Sequence, residues 1–139
     1  MPRFVDTNVL LYAVSTDPAE ARQRAVAEEL FDSRDLALSA QVLGEFYVQA
    51  TRPTRTGRLT HDQAATFIES MARYPIQALT YRVVRSALVT KNRFQISYWD
   101  AAILEAARAV GCREVLSEDL ADGQDYGGVR VTNPFAPPA

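Results

Sequence analysis

The sequence is poor in the residues that hold many small secreted or metal-stapled domains together. Its 139 residues include one cysteine, Cys112, and one histidine, His61. A single cysteine cannot form an internal disulfide, and no CxxC pair is present to hold a structural zinc ion. The lone histidine follows a predicted helix cap in a polar segment, which argues against Ser-His-Asp hydrolases and against catalysis by paired histidines.

Long hydrophobic runs are also missing from the sequence. Residues 9–14 are one of the longer wholly apolar stretches, far below the roughly 20 residues that a membrane-spanning helix needs. Near the N-terminus, Asp6 comes before any apolar signal region can develop. We therefore expect a cytoplasmic protein that has no membrane association.

Neither sign of charge is in large excess. The chain has 15 Lys plus Arg against 17 Asp plus Glu, a net charge of -2, whereas domains that bind nucleic acid through bulk charge are far more basic. We therefore expect no sequence-independent coating of DNA. Lys91 is the only lysine and the other basic residues are arginines, which suit bidentate phosphate contacts. A GC-rich genome that favours arginine codons over lysine codons would explain the same bias. The arginine content therefore does not by itself indicate a binding partner.

The composition that remains is that of a folded domain. Hydrophobic residues make up 47% of the chain and charged residues 23%, which is enough to build a buried core. No repeat, low-complexity tract or Gly/Ser-rich linker divides the sequence. We therefore expect a single domain over residues 1–139.

Short apolar segments alternate with helical segments along the chain. We predict strands at residues 3–5, 36–39, 75–79, 114–117 and 129–131, and helices at 9–14, 19–31, 41–51, 61–73, 81–92 and 98–110. Thr60, Thr80 and Ser97 are placed as helix N-caps, and Asp17 followed by Pro18 marks a further helix start. This alternation predicts an α/β fold in which a short central parallel sheet is flanked by helices on both faces.

Four acidic residues fall near the expected ligand-binding edge of this sheet. Ligands bind beyond the carboxyl ends of parallel strands, where the winding order switches. Asp6 follows the first strand, Glu45 lies in the helix after the second strand, Asp100 begins a late helix, and Asp119 follows the next strand. Crowded carboxylates repel one another unless a cation compensates, and an oxygen-rich site suits Mg²⁺ or Mn²⁺. The pattern favours metal-assisted phosphodiester hydrolysis.

Each acid also has an ordinary structural explanation. Asp6 stands in an Asp-Thr-Asn segment, which is good turn and cap chemistry. Glu45 lies at the edge of the apolar face of its helix. Asp100 with Ser97 forms a capping-box-like pair, and Asp119 is also explained as a turn residue. Singly, none of the four specifies a site.

The sequence blocks around these acids resemble the signature blocks of the PIN domain. They are FVDTNVLL at 4–11, GEF at 44–46, YWDAAI at 98–103 and LSEDL at 116–120, followed by NPF at 133–135. In order and spacing the blocks are most similar to the VapC toxins of bacterial VapBC toxin–antitoxin pairs. The resemblance covers nearly the whole chain and implies a PIN-like fold.

The resemblance implies an endoribonuclease toxin that depends on Mg²⁺, with Mn²⁺ as a substitute, and that hydrolyses RNA. The four acids would form the catalytic, metal-holding quartet, in which Asp6 and Asp100 are the firmest ligands. Glu45 would hold a metal or orient the attacking water, and Asp119 would complete the site.

Polar neighbours of the quartet also match the family pattern. Asn8 and Ser117 correspond to positions that support the acids by hydrogen bonding. Glu118 and Asp122 lie close to Asp119 in the sequence, and either could share the fourth acidic role. The sequence leaves this choice open.

The resemblance further implies partners for the chain. It predicts a homodimer that is inhibited by a VapB-type antitoxin lying across the acidic groove. For RNA phosphates, the most concentrated basic segment contains Arg52, Arg55 and Arg58, although a solvated loop is the alternative interpretation.

Two other functions remain to be compared with the nuclease. A catalytically silent PIN-fold scaffold that binds RNA or protein would have no need for Mg²⁺. Haloacid-dehalogenase-like phosphatases require Asp-x-Asp after the first strand, where this chain has Asn8 in place of the second acid. No GxGxxG or GxxxxGK[ST] motif supports a nucleotide cofactor.

Overall fold

Short parallel strands form the sheet at the centre of the fold. The structure is a computed structural model that describes residues 2–137. Within this range five strands pair in parallel in the order β3-β2-β1-β4-β5. Their bounds are β1 Arg3–Val5, β2 Leu36–Ser39, β3 Ile76–Gln77, β4 Glu114–Leu116 and β5 Arg130–Thr132. The parallel sheet expected from the sequence is confirmed.

Helices connect the strands. In the described part of the chain they are α1 Thr7–Ala13, α2 Ala21–Leu30, α3 Ala40–Ala50, α4 His61–Ser70, α5 Tyr81–Phe94 and α6 Tyr98–Ala109. The side chains of Thr60, Thr80 and Ser97 each accept a hydrogen bond from the backbone N–H three residues later, as expected of N-caps. Across residues 2–137, every helix is too short or too polar to cross a membrane.

The order of the strands places helices on both faces of the sheet. The chain runs outward from β1 to β2 and β3, and then returns across the sheet to β4 and β5. Parallel crossovers are right-handed in nearly all proteins, so reversing the direction moves the connecting helices to the opposite face. Accordingly, α1 packs against α2 and α3, while α5 packs against α6. The α/β architecture with flanking helices is confirmed.

The central strands β1, β2 and β4 are largely buried on both faces, which explains their mainly apolar sequences. Phe4 and Val5 of β1 and Leu38 of β2 are fully buried, as are Phe46 of α3 and Leu104 of α6. Each such side chain contributes roughly 1.5–3 kcal/mol through removal of apolar surface from water. The core therefore fixes the sheet to the helices on either side.

Several element boundaries differ from the sequence prediction by one to three residues. The strand expected at 75–79 is limited to Ile76–Gln77, because it is an edge strand paired with β2 alone and Leu79 is 52% exposed. The helix expected from residue 19 begins at Ala21, after a 3₁₀ turn over Pro18–Glu20 that is capped by Asp17.

Candidate active site

A cavity of about 750 Å³ opens where β1 and β4 end side by side. The winding direction of the sheet reverses between these two strands, which is the usual ligand-binding position in such folds. The cavity is lined by Asp6, Glu45, Asp100 and Asp119. These residues come from the end of β1, from α3, from α6 and from the segment after β4, so the fold gathers the four predicted acids around one space.

Asp6 is the most buried of the four acids, with 6% of the residue exposed. Its Oδ1 accepts a hydrogen bond from the backbone N–H of Thr7 at 2.7 Å, and its Oδ2 accepts one from the Ser117 hydroxyl at 2.7 Å. Burial raises the pKa of Asp6 to about 6; the two hydrogen bonds oppose this rise, and the nearby carboxylates of Asp119 and Glu45 add to it. Asp6 is also the N-cap of α1. Its side chain therefore both caps a helix and lines the acidic cavity, the two roles that the sequence suggested.

Ser117 connects the two strand ends that carry the site. Its buried hydroxyl donates to Asp6 and accepts a hydrogen bond from the backbone N–H of Asp119 at 3.1 Å. The backbone N–H of Asp6 in turn donates to the carbonyl of Leu116 at 3.0 Å. These contacts fix Asp6 and the turn that carries Asp119 relative to each other.

Asn8, at the cavity wall, has one side-chain polar atom with a hydrogen-bond partner and one without. Its Nδ2 donates to Asp119 Oδ2 at 3.0 Å. Because a carboxylate can only accept, the amide nitrogen must face Asp119, and the amide oxygen faces the other way. That oxygen, Asn8 Oδ1, is buried without a hydrogen-bond partner in residues 2–137. A buried oxygen of this kind calls for a donor or a cation.

Glu45 is held at the cavity wall by two hydrogen bonds. Its Oε2 accepts from the Thr7 hydroxyl at 3.0 Å, and its Oε1 accepts from the Gln41 amide at 3.2 Å. Thr7 was not among the residues predicted for the site, although it lies between Asp6 and Asn8. The signal in the sequence that could have identified Thr7 was a polar residue on the buried side of the first turn of α1.

Asp100 lies in the first turn of α6. Its backbone N–H donates a hydrogen bond to the Ser97 hydroxyl oxygen, with the nitrogen and oxygen 3.1 Å apart. Burial raises the pKa of Asp100, a hydrogen bond with Ser97 lowers it, and the charges of Asp119 and Glu45 raise it further. The carboxylates of the quartet therefore act on one another electrostatically across the cavity.

The structure distinguishes between the candidates for the fourth acid. Glu118 turns away and accepts a hydrogen bond from the Tyr12 hydroxyl at 2.6 Å. Asp122 accepts the backbone N–H of Asn133 at 2.9 Å. Neither residue lines the cavity, whereas Asp119 does. The geometry therefore favours Asp119.

The three candidate RNA-contacting arginines are not equivalent. Arg52 lines the cavity, while Arg55 and Arg58 do not. The backbone N–H groups of Arg55 and Arg58 donate to the carbonyls of Arg52 and Arg55 respectively, so the three residues follow successive turns of the loop after α3. Of the three, Arg52 is placed to meet a ligand in the cavity.

The oxygen donors around the cavity suit a hard divalent cation. Carboxylates and the unpartnered Asn8 Oδ1 are ligands of the type that Mg²⁺ prefers. Within residues 2–137, no three His, Cys, Asp or Glu side chains lie close enough together to hold a metal ion by themselves. Mg²⁺ commonly keeps several waters and takes one or two protein carboxylates. The residues therefore fit a partly hydrated cation, and Asp6 and Asp100, whose burial opposes negative charge, would gain most from it.

One further cavity residue was given no role by the sequence analysis. Trp99 lines the cavity next to Asp100 and is 59% exposed. The signal in the sequence was a lone tryptophan beside an acid in the first turn of a helix. Tryptophan is more often a core residue, which is why the sequence alone did not single it out.

The fold and the cavity define an α/β protein that carries an acidic site at the topological switch point of its sheet. The sequence model of the PIN domain matches residues 3–121. Because this match covers most of the chain, the protein belongs to the PIN domain family.

Solved structures with the same fold include toxins of toxin–antitoxin pairs. A toxin–antitoxin complex from Klebsiella pneumoniae has a TM-score of 0.68 at 17% identity, covering 95% of this chain and 97% of that chain. VapBC2 from Rickettsia felis, bound to a promoter DNA fragment, has a TM-score of 0.66 at 16% identity, covering 96% and 98%. VapC20 from Mycobacterium tuberculosis, described as a sarcin-ricin loop cleaving toxin, has a TM-score of 0.63 at 22% identity, covering 84% and 91%. At these identities the likeness establishes the shared fold. No curated protein sequence matches the chain.

Proposed function

We propose that the protein is a divalent-metal-dependent endoribonuclease and the toxin of a type II toxin–antitoxin pair. The observation that carries the proposal is the single cavity, in a PIN fold, around which Asp6, Glu45, Asp100 and Asp119 are gathered. The toxin–antitoxin complexes and the RNA-cleaving toxin among the structures of like fold support it.

Each acid has a role that follows from its surroundings. Asp6 and Asp100 would hold Mg²⁺ or Mn²⁺, and Asp119 would complete the site. When bound, the cation would neutralise charge on the scissile phosphate and lower the pKa of a water molecule. Glu45, fixed by two hydrogen bonds, would orient the attacking water and accept its proton.

The proposed reaction is a simple hydrolysis. The water oxygen bonds to phosphorus as the bond from phosphorus to the 3′ oxygen breaks, and a proton passes to that oxygen. The products are a 5′-phosphate and a 3′-hydroxyl. Arg52, at the cavity wall, would hold a neighbouring phosphate, since a guanidinium binds phosphate oxygens in pairs.

A VapB-type antitoxin and a second copy of the chain are the proposed protein partners. A basic side chain of the antitoxin inserted among the four carboxylates would silence the site by taking the place of the cation. Tyr81, Leu88 and Val89 expose apolar surface along α5, and exposed apolar patches mark protein–protein contacts. This surface supports the proposal of a homodimer.

The proposed activity is tested by incubating purified, antitoxin-free protein with a panel of structured RNAs in Mg²⁺, Mn²⁺ or EDTA, beside an Asp6→Ala variant. We expect cleavage that requires metal, leaves 5′-phosphates and is lost in Asp6→Ala. Absence of cleavage on every RNA, together with no Mg²⁺ binding by calorimetry, would indicate a catalytically silent scaffold.

A second prediction concerns the choice of the fourth acid. We expect Asp119→Asn to lower the cleavage rate about 10- to 100-fold, the usual effect of losing a residue that orients or completes a metal site. Glu118→Gln and Asp122→Asn should cleave at nearly the wild-type rate, because these carboxylates bond to Tyr12 and Asn133 instead. Equal losses of the cleavage rate in all three variants would show that lining the cavity does not decide which carboxylate acts as the fourth acid.

A further inference from the structure

The sole tryptophan of the chain is exposed at the wall of the acidic cavity. Trp99 is 59% exposed, and it lines the same cavity as its neighbour Asp100. Burying a large aromatic side chain in the core would contribute more to stability. An indole left open beside a set of carboxylates is therefore placed for contact with a ligand.

The Trp99 ring packs against that of its neighbour in sequence. Tyr98 meets the indole edge to face, with ring centroids 5.2 Å apart and an interplanar angle of 76°. Tyr98 is itself packed against a small buried group that contains Ala87, Ala101 and Ala102. This packing favours one orientation of the indole before the ligand arrives, which lowers the conformational freedom lost on binding.

The cavity is larger and more apolar than a metal site requires. Leu11, Val48 and Ile103 line it together with Trp99. Its volume of about 750 Å³ lies in the range of sites that bury an organic ligand. A hydrated cation and one phosphate need no apolar wall, whereas a flat heterocyclic base does.

We propose that Trp99 stacks on an unpaired base of the RNA, next to the phosphate that lies at the four acids. This inference rests on the proposed function and adds to it the residue that selects the conformation of the substrate. A base inside a duplex is already stacked on both sides, so it is available to Trp99 only in loops, bulges and single strands. Stacking tolerates every base identity, so Trp99 selects an unpaired nucleotide and not a sequence.

The absence of any other tryptophan from the sequence makes the intrinsic fluorescence of the protein a direct probe of Trp99. We would titrate the Asp6→Asn variant in Mg²⁺, so that the RNA stays intact, with short single-stranded homopolymers of each of the four bases. The controls are a duplex of the same length and an abasic strand with the same phosphates. We expect saturable quenching by the single strands and at least tenfold weaker quenching by both controls.

Substitutions at Trp99 separate stacking from general packing. Trp99→Phe keeps an aromatic face, Trp99→Leu keeps apolar bulk, and Trp99→Ala removes both. We expect Trp99→Ala and Trp99→Leu to weaken binding of single-stranded RNA about 5- to 100-fold, the usual effect of losing one base–aromatic stack. We expect Trp99→Phe to retain most of the affinity. In cleavage assays on the otherwise wild-type protein, the loss should appear mainly in KM, with kcat little changed.

The outcomes distinguish this inference from the proposed nuclease activity. Quenching by single strands, without metal-dependent cleavage, would support stacking and overturn the nuclease. Cleavage with no quenching, or equal quenching by the abasic strand, would overturn stacking and leave the nuclease in place. If Trp99→Leu binds RNA as well as Trp99→Phe does, the residue is an apolar contact, such as a protein partner would use, and the inference is wrong.

Discussion

The Asp6→Asn variant is expected to lose about 1000-fold in RNA cleavage, yet to unfold less readily than the wild-type protein. The expected loss is of the size seen when one electrostatic element of an active site is removed. The variant would keep the N-cap of α1, because asparagine caps helices as well as aspartate does. It would remove the buried negative charge that, in the proposed mechanism, holds the cation.

The stability gain follows from the raised pKa of Asp6. Burial moves this pKa from 3.8 in the unfolded chain to about 6 in the folded protein. Between these values the folded state binds more protons than the unfolded state, so the free energy of unfolding falls as the pH rises from about 4 to about 6. At neutral pH, and without metal, the difference amounts to about 3 kcal/mol at most. Asp6→Asn should recover a large part of this amount.

The measurement is urea unfolding in EDTA, at about pH 4 and about pH 7, for wild type, Asp6→Asn and the matched control Asp17→Asn. Asp17 also caps a helical turn, but it lies outside the cavity. We expect wild type and Asp17→Asn to lose stability between the two pH values and Asp6→Asn to lose much less. A wild-type protein that is equally stable at both pH values, or an active Asp6→Asn variant, would contradict the assignment of Asp6.

Ser117→Ala is expected to reduce both stability and cleavage. The substitution removes the hydroxyl that donates to Asp6 and accepts from the backbone N–H of Asp119. A buried carboxylate would then lack one of its donors, at a cost of about 1.5–3 kcal/mol in the free energy of unfolding. Because Ser117 positions two acids of the quartet, we expect the cleavage rate to fall about 10- to 100-fold.

Ser15→Ala provides a closely matched control. Ser15 is also a buried serine that donates to a carboxylate, that of Glu20 at 2.6 Å, and accepts the backbone N–H two residues later. It lies outside the cavity. We expect Ser15→Ala to lower stability with cleavage preserved, as measured by denaturant unfolding and initial rates on one RNA. Equal losses of cleavage in both variants would mean that Ser117 acts through stability alone.

Local signals in the sequence were sufficient for several helix starts and for the approximate positions of the strands. Thr80 and Ser97 cap their helices by hydrogen bonds to the backbone three residues later, and that interaction depends only on neighbouring residues. The second strand was recognisable because all its residues are apolar or small. The third strand was predicted too long, since its length depends on having a single partner at the edge of the sheet.

The side-chain contacts of the site depend on residues that are distant in sequence. Glu118 and Asp119 are adjacent acids of the same chemistry, and no local rule says which one faces the cavity. The choice is made by Tyr12, which binds Glu118, and by Asn8, which binds Asp119. Both partners lie on α1, more than 100 residues earlier. The positions of the four acids relative to the strands were predictable, but these orientations were not.

The hydrogen bond between Asp6 and Ser117 spans 111 residues of the chain, and this span determines when the acidic cavity can form during translation. Translation delivers the N-terminal segments first. A ribosome that has released only β1 to β3 has therefore presented Asp6 and Glu45 without Asp100, Ser117 or Asp119. The acidic cavity forms only after β4 has left the ribosome and paired with β1. A nascent chain or truncated product that ends before β4 therefore lacks Ser117 and Asp119 and cannot assemble the acidic cavity.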